Sequence, residues 1–96
     1  MPRFKAIALR WVSDDPQPGV IEISVHDAFG RDHRIIEKDI VTEFALGKDA
    51  HFPVGFWIEA EPQEQSGELV TITLPWSMST TEGETQLTMS RALLRP

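Results

Sequence analysis

Residues 20–27, VIEISVHD, alternate apolar and polar without a break, with Ile21, Ile23 and Val25 on one side and Glu22, Ser24 and His26 on the other. A period of two is the signature of a strand with one buried face; a helix would repeat about every 3.6 residues. The same period recurs along the chain. Val54 to Glu61 sets Val54, Phe56, Ile58 and Ala60 on an inner face and Gly55, Trp57, Glu59 and Glu61 on an outer one. Leu69 to Trp76 does so with Val70, Ile72, Leu74 and Trp76, and Thr85, Leu87 and Met89 alternate near the end. Phe4 to Val12 differs, because both of its faces are largely apolar (Lys5, Ile7, Leu9 and Trp11; Phe4, Ala6, Ala8, Arg10 and Val12), as in a strand covered on both sides or at a barrel crossing.

Between these runs lie SDDPQPG, GKDAHFP, PQEQSG and SMSTTEGE, rich in the Pro, Gly, Asp and Ser that end strands. We read PQEQSG as a polar turn and SMSTTEGE as a flexible connection. Pro75 suggests that its strand ends at a sheet edge. HRIIEKDIVTEFAL, residues 33–46, is read as strand bent near Lys38-Asp39, because its β-branched density outweighs the four-residue spacing of Ile36, Ile40 and Phe44. Ser90 to Leu94 reads as a short helical turn capped by the serine. The expected fold is therefore all-β: one small antiparallel barrel or sandwich of six to seven strands in a single domain spanning residues 1–96.

Charge narrows the function. Residues 1–38 balance six Lys/Arg against six Asp/Glu, whereas residues 39–86 carry nine acids against Lys48 alone. A net charge of -6 concentrated in one half repels phosphate backbones, so nucleic acid is not an expected partner and a basic protein is. No apolar run is long enough to span a bilayer, so no membrane partner is expected. MPRFKAIALRWV lacks a small-residue cleavage site and is interrupted by Arg10, which directs the expectation to the cytoplasm. With no cysteine in the chain, disulfides, thiolate metal sites and cysteine nucleophiles are excluded. No glycine-rich phosphate loop and no serine-hydrolase motif is present, and no cofactor is expected.

The stretch closest to chemistry is VHDAFGRDHR, residues 25–34, with a histidine and an aspartate on each side of a turn. A two-residue loop would set His26 against His33 and Asp27 against Asp32. A three-residue loop, Ala28-Phe29-Gly30, instead opposes Asp27 to Arg31, Val25 to His33 and Ile23 to Ile35, with Gly30 as the left-handed bulge residue. The second register matches charge with countercharge and apolar with apolar, and we adopt it. It sends His26 outward and His33 inward, so the two cannot share a metal ion, and no metal site is expected. Asp14-Asp15 reads as a solvated turn.

Two functional readings follow. Outward Trp57, with Glu59 and Glu61 behind it, fits a contact for a basic partner, in the manner of an immunity or antitoxin-like protein; the alternative is that the loop from Gly47 to Phe52 covers the indole. The second reading is a barrel that binds or acts on a small molecule, with His33, Arg34 and Trp11 near its mouth. A homodimer through free strand edges would be natural if an edge is left open.

The succession Arg10-Trp11-Val12, Asp14-Asp15, Pro18-Gly19, Glu22-Ile23, Val25, Asp27-Ala28, Gly30-Arg31, His33-Arg34, Ile36 and Lys38 resembles a group of small bacterial proteins of similar length. The likeness covers the first 40 or so residues and continues loosely through FPVGFWIEAE. It implies an all-β single domain and, since the group has no assigned activity, supplies no catalytic residues.

Overall fold

The computed structural model describes residues 2–39 and 46–96. The second half of the 33–46 stretch, where strand and helix competed, lies outside the described residues.

Among the described residues seven strands form: β1 Arg3–Ser13, β2 Val20–His26, β3 Asp32–Lys38, β4 Val54–Glu59, β5 Glu61–Ser66, β6 Leu69–Thr73 and β7 Gln86–Ser90. They make two sheets, one of four strands in the order β3-β2-β1-β4 and one of three in the order β5-β6-β7. Every pairing is antiparallel. The arrangement is sandwich-like; among the described residues the two ladders do not close into a barrel. No helix of the described residues is long and apolar enough to cross a membrane.

The core holds the apolar faces that alternation marks in β2, β4, β6 and β7, together with one face of β1 and Ile35 of β3. Phe4, Ala6 and Ala8 of β1, Ile21, Ile23 and Val25 of β2, Ile35 of β3 and Phe56 and Ile58 of β4 are buried together with Val70, Ile72, Leu87 and Met89 of the second sheet. Each large apolar side chain removed from water in this way contributes about 1.5–3 kcal/mol. The sheets are also stitched along one seam. Ala28 N–H donates to Thr88 O and Thr81 N–H to Arg34 O, each at 2.8 Å.

Several local expectations change. In β1 the register against β2 shifts between Ala8 and Arg10, so that Arg10 opposes Glu22 and Trp11 opposes Ile21. This bulge flips the faces: Arg10 leaves the buried side for a glutamate, and Trp11 packs against the core instead of continuing the Lys5–Ile7 face. PQEQSG is not a turn. Its residues form most of β5, paired to β6, and the turn contracts to Gly67-Glu68. All six β5 residues are exposed, and a strand without a buried face has no reason to alternate.

Pro75 does not mark an edge strand, because β6 is the centre of its sheet and the proline lies beyond its end. The chain turns there, with Trp76 and Ser77 both at φ 57°. Trp76 is 69% exposed, and Met78 takes the buried place its alternation implied. The connection at residues 77–84 is tied down rather than loose: Thr80 is buried, its N–H donates to Glu84 O, and Gly83 N–H donates to Thr80 O. A 3-10 turn does form at Arg91–Leu93, but the Ser90 side chain makes no capping bond. Beyond it, Arg95 and Arg3 exchange main-chain hydrogen bonds of 2.7 and 2.9 Å, which returns the chain to the first sheet.

Candidate functional site

The hairpin of β2 and β3 adopts the three-residue loop. Val25 pairs with His33, Ile23 with Ile35 and His26 with Asp32. Gly30 takes φ 78°, and its N–H donates to Asp27 O. Asp27 organises the turn: Oδ1 accepts from the N–H groups of Phe29 (2.8 Å) and Arg31 (3.0 Å), and Oδ2 faces His33 Nε2 at 2.8 Å. Burial alone would raise the Asp27 carboxyl pKa, but the bonds from His33, Arg31 and Phe29 outweigh it and hold the group below its ordinary range. An ionised carboxylate only accepts, so Nε2 of His33 carries the proton between them.

On the other side of the ring, Glu84 Oε1 stands 3.6 Å from His33 Nδ1 and 3.6 Å from the Arg31 guanidinium. Glu84 lies on the connection before β7, so this cluster clamps the hairpin tip to the second sheet. The crevice beside it is about 200 Å³, lined mainly by polar groups, and His33 itself is only 3% exposed. A general base needs a substrate within hydrogen-bond reach. Here one ring nitrogen is held by Asp27 and the ring is packed away from solvent. The cluster joins the hairpin tip to the connection before β7.

The structure also separates the residues expected at a barrel mouth. Arg34 points to the outer face, where it pairs with Glu22 (2.7 Å) and Asp32 (2.8 Å), and Arg10 completes the ladder on Glu22 at 2.7 Å. The Arg34 guanidinium holds Glu22 low, burial opposes it, and the Arg10 bond adds to the lowering; for Asp32 Arg34 and then the Ser24 hydroxyl outweigh burial. Trp11 lies at the opposite end of β2, bonded through Nε1–H to Asp14 Oδ1 at 2.8 Å. Gly47 and Lys48 line the cleft beside Trp11, so the start of that loop lies there. Leu46 and Gly47 donate their N–H groups to the buried carboxylate of Asp39.

Trp57 corrects a larger expectation. Its surround is basic, not acidic. Lys5 Nζ lies 5.4 Å from the indole centroid, and the guanidinium carbons of Arg95 and Arg3 lie at 5.9 and 6.0 Å. Glu59 faces Arg3 across the β1–β4 ladder, yet the two form no ion pair. Glu61 belongs to β5, on the neighbouring sheet. Sequence reading missed this because Arg3 and Arg95 are 92 positions apart and meet only through the main-chain bridge. Gly55 was the available signal: a Cβ there would stand 2.8 Å from Lys5 Cε, so its absence lets the lysine lie across β4.

The charges thus fall into three groups. Glu22, Asp27, Arg31, Asp32 and Arg34 of the β2–β3 hairpin are paired. Arg3, Lys5 and Arg95 gather on Trp57. The glutamates of residues 59–68, Glu59, Glu61, Glu64 and Glu68, make no ion pair among the described residues. Fold and surface together define a small all-β protein of two antiparallel sheets with segregated charge. The chain matches no protein-family model, no curated protein and no solved structure.

The paired hairpin carboxylates set an acid limit on stability. Asp27, Glu22 and Asp32 are each held below their unfolded values of 3.8, 4.5 and 3.8. A depressed folded-state value adds stability that is fully present above the unfolded value and is lost as pH falls through the folded one. Thermal midpoints should therefore fall as pH is lowered from about 5 toward 2. In Asp27→Asn that fall should be shallower. Equal slopes for the two proteins would remove Asp27 from the account.

Proposed function

We propose that this protein is a small non-enzymatic protein-binding module that engages a basic partner through the ribbon of residues 59–68. The mode of action is that of an immunity or antitoxin-like protein, which masks a basic surface. The observation that carries the reading is the state of β5. All six of its residues are exposed, and the four glutamates in and beside it have no countercharge among the described residues. The cation nearest in bonding, Arg91, donates to the neutral Gln65 side chain instead. Unneutralised carboxylates in a row steer a basic partner and raise its association rate at low salt.

Recognition by side chains fits this strand better than strand addition. Pro62 lacks an N–H, and the β5–β6 register shifts between Pro62 and Glu64, so the outer ladder is broken. The same features weigh against a homodimer through β5, where like charges would meet. On β3, the Arg34 carbonyl is already taken by Thr81.

The test is affinity capture from native lysate in about 25 and 300 mM salt, with wild type and with a variant changing Glu59, Glu61, Glu64 and Glu68 to Gln. The expected result is a basic protein retained by wild type at low salt, released at high salt and not retained by the variant. Equal retention by both proteins, or none by wild type, would overturn the proposal.

A further inference from the structure

The cluster around Trp57 borders a cleft of about 340 Å³, at the lower end of the range that holds small organic ligands. We infer that this cleft binds a small organic carboxylate with an aromatic body. The inference is independent of the acidic ribbon and would stand if that reading failed.

The wall of the cleft comes from Lys5 and Trp57 on the outer face of the first sheet and from Arg95 beyond the 3-10 turn. Ile7, Met89 and Leu93 supply its apolar surface, and Leu93 is 54% exposed there. Ser24 and His26 close one end. Among the described residues no carboxylate lines it, although the chain as a whole is at -6. Arg10, Arg31 and Arg34 all have carboxylate partners, whereas Lys5 and Arg95, the two cations that line the cleft, pair with no Asp or Glu among the described residues. The carbonyls of Ala92 and Leu94 that accept from Arg95 carry no charge, whereas Arg3, which does not line the cleft, is held by a Pro96 oxygen.

Such a wall asks for one negative head and an apolar, flat body. The head is taken by the Lys5 ammonium and the Arg95 guanidinium through charge-assisted hydrogen bonds. The body rests against the indole edge, Ile7 and Leu93. A polyanion is a poorer match, because three cations cannot hold a phosphate backbone against Glu59 at their margin and the overall negative charge.

The probe is 2-naphthoate, with its neutral amide as the control, each titrated into the intact labelled protein and followed by two-dimensional NMR. The expected result is a saturable shift of the Trp57 indole N–H together with the Lys5 and Leu93 amides. The amide should bind about ten-fold more weakly, and Lys5→Gln should weaken naphthoate by a similar factor while leaving the rest of the spectrum in place. No saturable shift below about 10 mM, equal affinity for the neutral amide, or shifts confined to another face would overturn the inference.

Discussion

Replacing Asp27 by alanine should destabilise the protein by about 3–5 kcal/mol. The carboxylate is the acceptor for two turn N–H groups and for His33 Nε2, and none of the three has another acceptor in place. Its loss would leave a buried imidazole donor facing Arg31 without the negative charge between them. In a domain of this size each kcal/mol moves the thermal midpoint by roughly 4–8 °C, so the variant should melt at least about 12 °C lower. Asp27→Asn keeps one acceptor oxygen for the turn and should cost less. Denaturant titrations of both variants check the order. A loss below about 0.5 kcal/mol for the alanine variant would mean that packing and the main-chain bonds of Ala28 and Thr81 join the hairpin to the second sheet without help from Asp27.

Gly19→Ala should have the second large effect. Gly19 sits at φ 117°, where an L side chain is strained, and a Cβ would fall 2.1 Å from Trp11 Cζ2 and 2.2 Å from Cη2. The indole has little freedom to retreat, since its N–H is bonded to Asp14 and its other side packs against the core. Strain and overpacking together should cost about 2–4 kcal/mol. Gly83→Ala is the matched control: φ is 88° there, and an added Cβ would meet nothing within 4 Å. Its cost should be the backbone strain alone, about 1 kcal/mol. Equal losses in the two variants would show that Trp11 is not seated on the turn.

Both predictions concern places where the sequence was most readable and where it was least. The hairpin register followed from two pairings, Ile23 with Ile35 and Asp27 with Arg31, which any slip would have turned into mismatches. The core of β2, β4, β6 and β7 followed from alternation, whereas β1, apolar on both faces, and β3, with Ile35 buried beside exposed Ile36, did not declare their inner face. Strand β5 escaped because neither of its faces is buried, so hydrophobicity carries no signal for it. Trp11 and Arg10 were assigned to the wrong faces because a bulge changes parity, and no residue type in RWV announces one. Trp57 was placed outward correctly, yet its surround was inferred from neighbours along the chain. In a sheet the closest neighbours are across the ladder, and Arg3, Lys5 and Arg95 reach the indole that way. Glu84 joined His33 for the same reason.

These corrections shift weight between the two functional readings. In the crevice beside His33 the imidazole is held by Asp27 and almost wholly buried. Trp57 no longer belongs to the acidic surface. What supports protein binding is the exposed, unneutralised β5 ribbon on its own.

The most direct test of that claim is amide mapping with the captured partner. Once wild-type protein has retained a basic protein at low salt, its two-dimensional NMR spectrum is recorded with increasing amounts of that partner. The account predicts that the amides of Glu61, Gln63, Glu64, Gln65 and Glu68 shift first and furthest. Those of Lys5, Trp57 and His33 should stay in place. Shifts centred on Lys5 and Trp57, with β5 unmoved, would contradict it.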